Sequence, residues 1–141
     1  MGNKKFMTAI TICIIVILII FVVNKNKSND IKSYEENTGD VKTNIGTELN
    51  TDAMVGNYKI KITDVTTRKS NSNVKCIVEN ISGEVLSFAK IKIKFLDLNN
   101  KVILEHDLIV KSLQVGEILT IREDISGNLS NSARFVFEEV K

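Results

Sequence analysis

Residues 89–107 hold most of the chemistry this chain can offer. The stretch AKIKIKFLDLNNKVILEHD places Lys90, Lys92 and Lys94 at every second position, then brings Asp97, Glu105, His106 and Asp107 close behind. Lysines at spacing two share one face of a strand and read in two ways. One is a weak contact for a polyanion, such as an anionic wall polymer or lipid headgroups. The other is the solvated side of a strand whose opposite side is buried. Exposed strand lysines are common and discourage edge-to-edge pairing. Glu105 or Asp107 across a hairpin would then neutralise them, at under about 1 kcal/mol each. We adopt the solvated face and retain Lys90, Lys92 and Lys94 only as a weak polyanion contact.

His106 is the single histidine, which excludes a histidine-based metal cluster or a two-histidine mechanism. In LEHDL it shares a side with Leu104 and Leu108, as a half-buried, hydrogen-bonded residue does. Asp97 with Asp107 or Glu105 supplies the carboxylate pair that a small hydrolase or ligand-binding protein would use, and this is the alternative function. The sequence has no G-x-S-x-G elbow, no phosphate-binding glycine loop, no Cys-x-x-Cys and no His-Glu-x-x-His. DLNN from Asp97 has oxygen ligands but lacks the glycine and distal glutamate of a calcium loop, so it reads as a turn. Aromatic residues are 6% with no tryptophan, so no platform for stacking sugars is visible. The expectation is a protein without catalytic residues, cofactor or metal, and not an enzyme. The Asn-x-Ser sequons at Asn26, Asn80 and Asn128 are what chance supplies in so asparagine-rich a chain.

The N-terminal part has a different character. From Phe6 to Val23 runs FMTAITICIIVILIIFVV, without a charge. As a helix it would measure about 27 Å, near the roughly 30 Å of a bilayer's hydrocarbon. No small-residue cleavage site follows, Ile12 before Cys13 does not suit lipidation, and Phe6 replaces the Ser or Thr of a myristoylation signal. The segment reads as an uncleaved signal anchor, preceded by a five-residue cytoplasmic tail, with the C-terminal part outside the cell membrane. Flanking lysines are nearly balanced, but so short a head favours this orientation. Cys76 could not reach Cys13 inside a membrane, so no internal disulfide is expected. Sparing use of cysteine and abundant Ile, Lys and Asn fit an exported protein of a Gram-positive bacterium. Of 19 basic residues, Lys4 and Lys5 precede the apolar run, leaving 17 against 17 acidic ones. Such balance gives no long-range attraction for nucleic acid.

Residues 24–57 are rich in Asn, Thr, Asp, Glu, Lys and Gly with unphased apolar residues, and read as a flexible polar linker. From Tyr58 the period changes to two. YKIKITDV, VKCIVEN, FAKIKIKFLDL, KVILEHDLIV, EILTIRED and ARFVFEEV alternate apolar with polar residues. Asn99-Asn100, Gly83 and Gly127 mark turns between them. Residues 58–141 are therefore expected to form an all-β, antiparallel, immunoglobulin-like sandwich of six or seven strands. Ile60, Val78, Ile91, Ile93, Phe95 and Leu104 are expected in its core. No proline is available to block edges, so charge must do so.

Asn73–Ile125 resembles the FxLYD-type β-sandwich domain of membrane-anchored and secreted bacterial proteins. The naming motif falls on Ile93-Lys94-Phe95-Leu96-Asp97, with only Asp97 kept. NNKVI is similar to that family's following turn, VENISGEVL to its strand–asparagine–glycine segment, and LQVGEILTI to a later turn with Val115 in place of proline. The resemblance implies an extracytoplasmic immunoglobulin-like module without established catalysis, and it implies no active-site residues.

Overall fold

The structure, a computed structural model, describes residues 33–37, 39–46 and 48–140. The expected cytoplasmic tail, the expected membrane segment Phe6–Val23 and the first part of the expected linker lie outside the described residues. No helix among the described residues is long and apolar enough to cross a membrane.

Among the described residues, nine antiparallel strands form two sheets: β1 (Tyr34–Asn37), β2 (Val41–Asn44), β3 (Ala53–Val55), β4 (Tyr58–Arg68), β5 (Asn71–Asn80), β6 (Ala89–Leu96), β7 (Val102–Val110), β8 (Ile118–Ser126) and β9 (Arg134–Val140). One sheet has the order β1-β2-β4-β5-β8, with β3 also paired to β4; the other is β7-β6-β9. The strand patterns expected from the period-two segments are present. The count is nine, not six or seven, because three short strands fall where the linker was expected.

Alternation decides which side of each strand is wet. Tyr58, Ile60 and Ile62 of β4, Val74, Cys76 and Val78 of β5, and Ala89, Ile91, Ile93 and Phe95 of β6 are all buried in one core with Leu108 and Val110 of β7. Five of the six expected core residues are there: Ile60, Val78, Ile91, Ile93 and Phe95. Leu104 differs, being only partly buried against the cluster. Phe95 and Phe135 meet edge to face, with centroids 5.8 Å apart and planes at 84°, a favoured aromatic geometry. The register of β4 on β5 shifts between Ile62 and Asp64. This bulge at Thr63 moves the inward phase from even to odd positions, so Val65 and Thr67 become buried.

Residues 33–57 correct the linker reading. β1 pairs with β2, and β2 with the second half of β4. Their apolar content is low because hydrogen bonds to distant backbone hold them instead. The Asn44 amide is buried and donates to the carbonyls of Leu129, Ser130 and Ser132, while its oxygen accepts from the Gly46 amide. The Glu48 carboxylate accepts from Arg134 Nε and from the Phe135 amide, both at 2.8 Å. Of the expected linker, residues 24–32, Thr38 and Thr47 lie outside what the structure describes.

Candidate functional site

The three lysines stand together on the outer face of β6, at the middle of the β7-β6-β9 sheet. Because Ile91, Ile93 and Phe95 point inward, their neighbours must point out, and the register then decides who meets whom. Lys92 lies opposite Asp107 on β7 and Glu138 on β9, while Lys94 lies opposite Glu105 and Val136. The contacts run diagonally. Lys90 Nζ meets Asp107 at 2.6 Å, Lys92 meets Glu105 at 3.1 Å, and Lys94 meets Glu138 at 2.7 Å. Glu105 and Asp107 were expected partners; Glu138 is supplied by β9, forty-four residues away in sequence, and periodicity alone could not assign it.

The electrostatics agree with paired charges. The Glu105 hydrogen bond, with its charge, holds the Lys92 ammonium above its ordinary 10.5. The Lys90 hydrogen bond pulls the Asp107 carboxyl below its ordinary 3.8, against slight desolvation. The row alternates sign with its neighbours and offers no uncompensated basic strip. Exposed pairs of this kind contribute little stability.

The carboxylates of the alternative function are likewise engaged. Asp107 and Glu105 serve lysines, and Asp97 holds a turn: its Oδ1 accepts from the amides of Asn99 and Lys101 at 2.8 and 2.9 Å. Asn100 closes this turn at φ 63°, a conformation asparagine tolerates. The structure thus brings Glu105 and Asp107 together with the lysines and leaves Asp97 at the end of the sheet, in no shared pocket with them. Among the described residues, no group of three or more His, Cys, Asp and Glu side chains could hold a metal ion. The Cys76 thiol is pushed up to about 12, chiefly by burial and further by Glu123, so it is no nucleophile at neutral pH. A cleft of about 470 Å³ by the β1–β2 hairpin is lined by Glu36, Asp40, Lys42, Lys69 and Asn128 among others, and is polar and open.

What the sequence reading missed is an end of the sandwich. The β3–β4 turn, the β5–β6 loop and the β7–β8 loop meet there. Asn80, buried at the end of β5, ties them: its amide donates to the carbonyls of Glu84, Leu113 and Gln114, and its oxygen accepts from the Ser82 amide and hydroxyl. Leu86 and Leu113 bridge the two longer loops, and the Ile81 amide bonds to the Asn57 carbonyl. Glu117 accepts from the Gln114 amide at 2.7 Å and so shapes the turn through Gly116, whose φ is 70°. Around this knot Met54, Ile81, Val85, Phe88, Val115 and Ile118 are exposed; Phe88 and Met54 remain 64% and 65% accessible. The signal was present as apolar residues inside loops, where burial does not call for them. No protein-family model matches the chain, and comparison with curated proteins and with solved structures likewise gives no match.

Proposed function

We propose that this chain is a membrane-anchored, extracytoplasmic, immunoglobulin-like sandwich that makes contacts in the cell envelope and performs no catalysis. The observation that carries the proposal is that the lysines and carboxylates that could do chemistry already have internal tasks. Lysines 90, 92 and 94 pair with carboxylates, Asp97 and Glu117 hold turns, and Asn80 joins loops. The residues behind the resemblance to FxLYD-type domains (Asn80, Asp97, Gly116 and Glu117) are these same structural residues, which supports an architectural and not a catalytic reading. The charge-free segment Phe6–Val23 supports the anchor. Partners are the membrane and another envelope protein or wall polymer; neither nucleic acid nor a cofactor is needed.

An epitope appended after Lys141 tests the placement. On intact cells it should be accessible to antibody, and the protein should resist alkaline extraction from membranes. An epitope detected only after permeabilisation would overturn the proposal.

A further inference from the structure

We infer that the apolar end of the sandwich, formed by Met54, Ile81, Val85, Phe88, Val115 and Ile118, docks into the surface of a phospholipid bilayer. The inference rests on the anchor reading above and deepens it. Three observations converge. First, Ile81, Val85, Phe88 and Val115 sit exposed on loops held in place by Asn80 and the Leu86–Leu113 bridge, and Met54 of β3 and Ile118 at the start of β8 are exposed beside them. The loops of the opposite end, Lys69–Ser70, Asp97–Lys101 and Gly127–Asn128, are polar apart from Leu98. An apolar patch that the fold does not bury marks a surface for a partner or a membrane.

Second, β1 begins partway along its sheet and runs away from that end. β2 is antiparallel to both β1 and β4, so β1 runs as β4 does, away from Tyr58 and the apolar loops. Tyr34 pairs with Asn44, and Thr43 with Thr66, which sets Tyr34 abreast of Val65. The apolar end therefore lies back along the sheet by the rise from Tyr58 to Val65, roughly 23 Å.

Third, the chain before β1 is short. With β1 starting at Tyr34, only residues 24–32 and Ser33 separate it from the apolar run ending at Val23. Residues 24–32 fully extended reach roughly 30 Å. On the anchor reading, that length is enough to let these loops touch the bilayer. Charge at this end is mixed: Lys59 pairs with Glu79 and Lys61 with Asp52. Apolar insertion, and not attraction to anionic headgroups, is the contact that fits.

The chain has no tryptophan, so a single one reports its own surroundings. Full-length Phe88→Trp, Val85→Trp and Leu98→Trp proteins are reconstituted in phosphatidylcholine vesicles with brominated acyl chains. Phe88→Trp and Val85→Trp should emit to the blue and lose most of their intensity, unchanged by added salt, while Leu98→Trp keeps the emission of a water-exposed indole. Vesicle-bound protein whose Phe88→Trp and Val85→Trp indoles are quenched no more than that of Leu98→Trp overturns the docking and leaves the anchor standing. A blue shift without bromine quenching also overturns it, by pointing to a second copy or another protein. Protein that fails to float with the vesicles removes the anchor reading, and the docking with it.

Discussion

His106 Nε2 and Glu123 Oε2 stand 3.5 Å apart and belong to different sheets. His106 is on β7 and Glu123 on β8, the strands at the open edges of the two sheets, and both side chains lie on the inward side. Nε2 is shielded from solvent without a hydrogen bond, so the contact is an ion-pair approach available to the charged imidazole and not a formed hydrogen bond. The half-buried position expected for His106 is observed, and its Nε2 makes no hydrogen bond. Polar groups turned inward on edge strands oppose the addition of a further strand. Replacing both (His106→Val with Glu123→Val) should leave stability within about 1 kcal/mol while increasing concentration-dependent association. Sedimentation identical to the parent protein would remove this role.

Adjacent residues of β6 should differ sharply. Ile93 is 1% exposed, and Ile93→Ala should cost roughly 2–5 kcal/mol through the lost burial and the cavity left behind. Lys92→Ala should stay within about 0.5 kcal/mol, because its ion pair with Glu105 is solvated. Urea unfolding of both variants checks this, and similar losses would contradict the register.

Asn80 should be costly to replace despite being polar. Asn80→Ala removes the amide that joins the Glu84, Leu113 and Gln114 carbonyls and leaves the Ser82 amide without its acceptor, for about 1–3 kcal/mol. Asn80→Asp should not rescue it, since the lost groups are chiefly donors. Denaturation midpoints for the two variants decide the matter; a silent Asn80→Ala would show that water replaces the amide without loss.

The lysine ladder also has a pH signature. The native carboxyl of Asp107 lies below its unfolded value, so its contribution is complete above about pH 3.8 and disappears as pH falls through the native value. Lys92 lies above its unfolded value, so its contribution is complete below about pH 10.5 and disappears as pH rises through the native one. Stability attributable to the ladder should therefore be flat through neutrality. Asp107→Asn should diminish the acid-side decline relative to the parent, most visibly at low salt. Equal acid declines in both proteins would count against the pairing.

The core was legible because β5 and β6 keep strict alternation for most of their length, and Ile91, Ile93 and Phe95 could be placed without knowing the partner strands. Lys90, Lys92 and Lys94 followed as their complement. Val65 was hidden by the bulge at Thr63, which resets the phase. β1 and β2 were hidden for a different reason. Strands of only four residues, with exposed Glu35 and Glu36 and half-buried Lys42, carry no hydrophobic period, and the burial of Asn44 depends on carbonyls more than eighty residues away. The apolar end required knowing which loops share an end, which is a property of topology and not of any one segment.

The bonds from Ser33 and Asn44 to Ser130 and Ser132 span 97 and 88 residues, and Phe135 of the last strand completes the core. A chain that emerges from its N-terminus cannot close this domain until nearly its final residues have appeared. Until then β1 and β2 lack their acceptors and β6 lacks β9. Such dependence on distant contacts slows folding. For the exported module proposed above, such late closure would keep the chain threadable through a membrane until β9 is through.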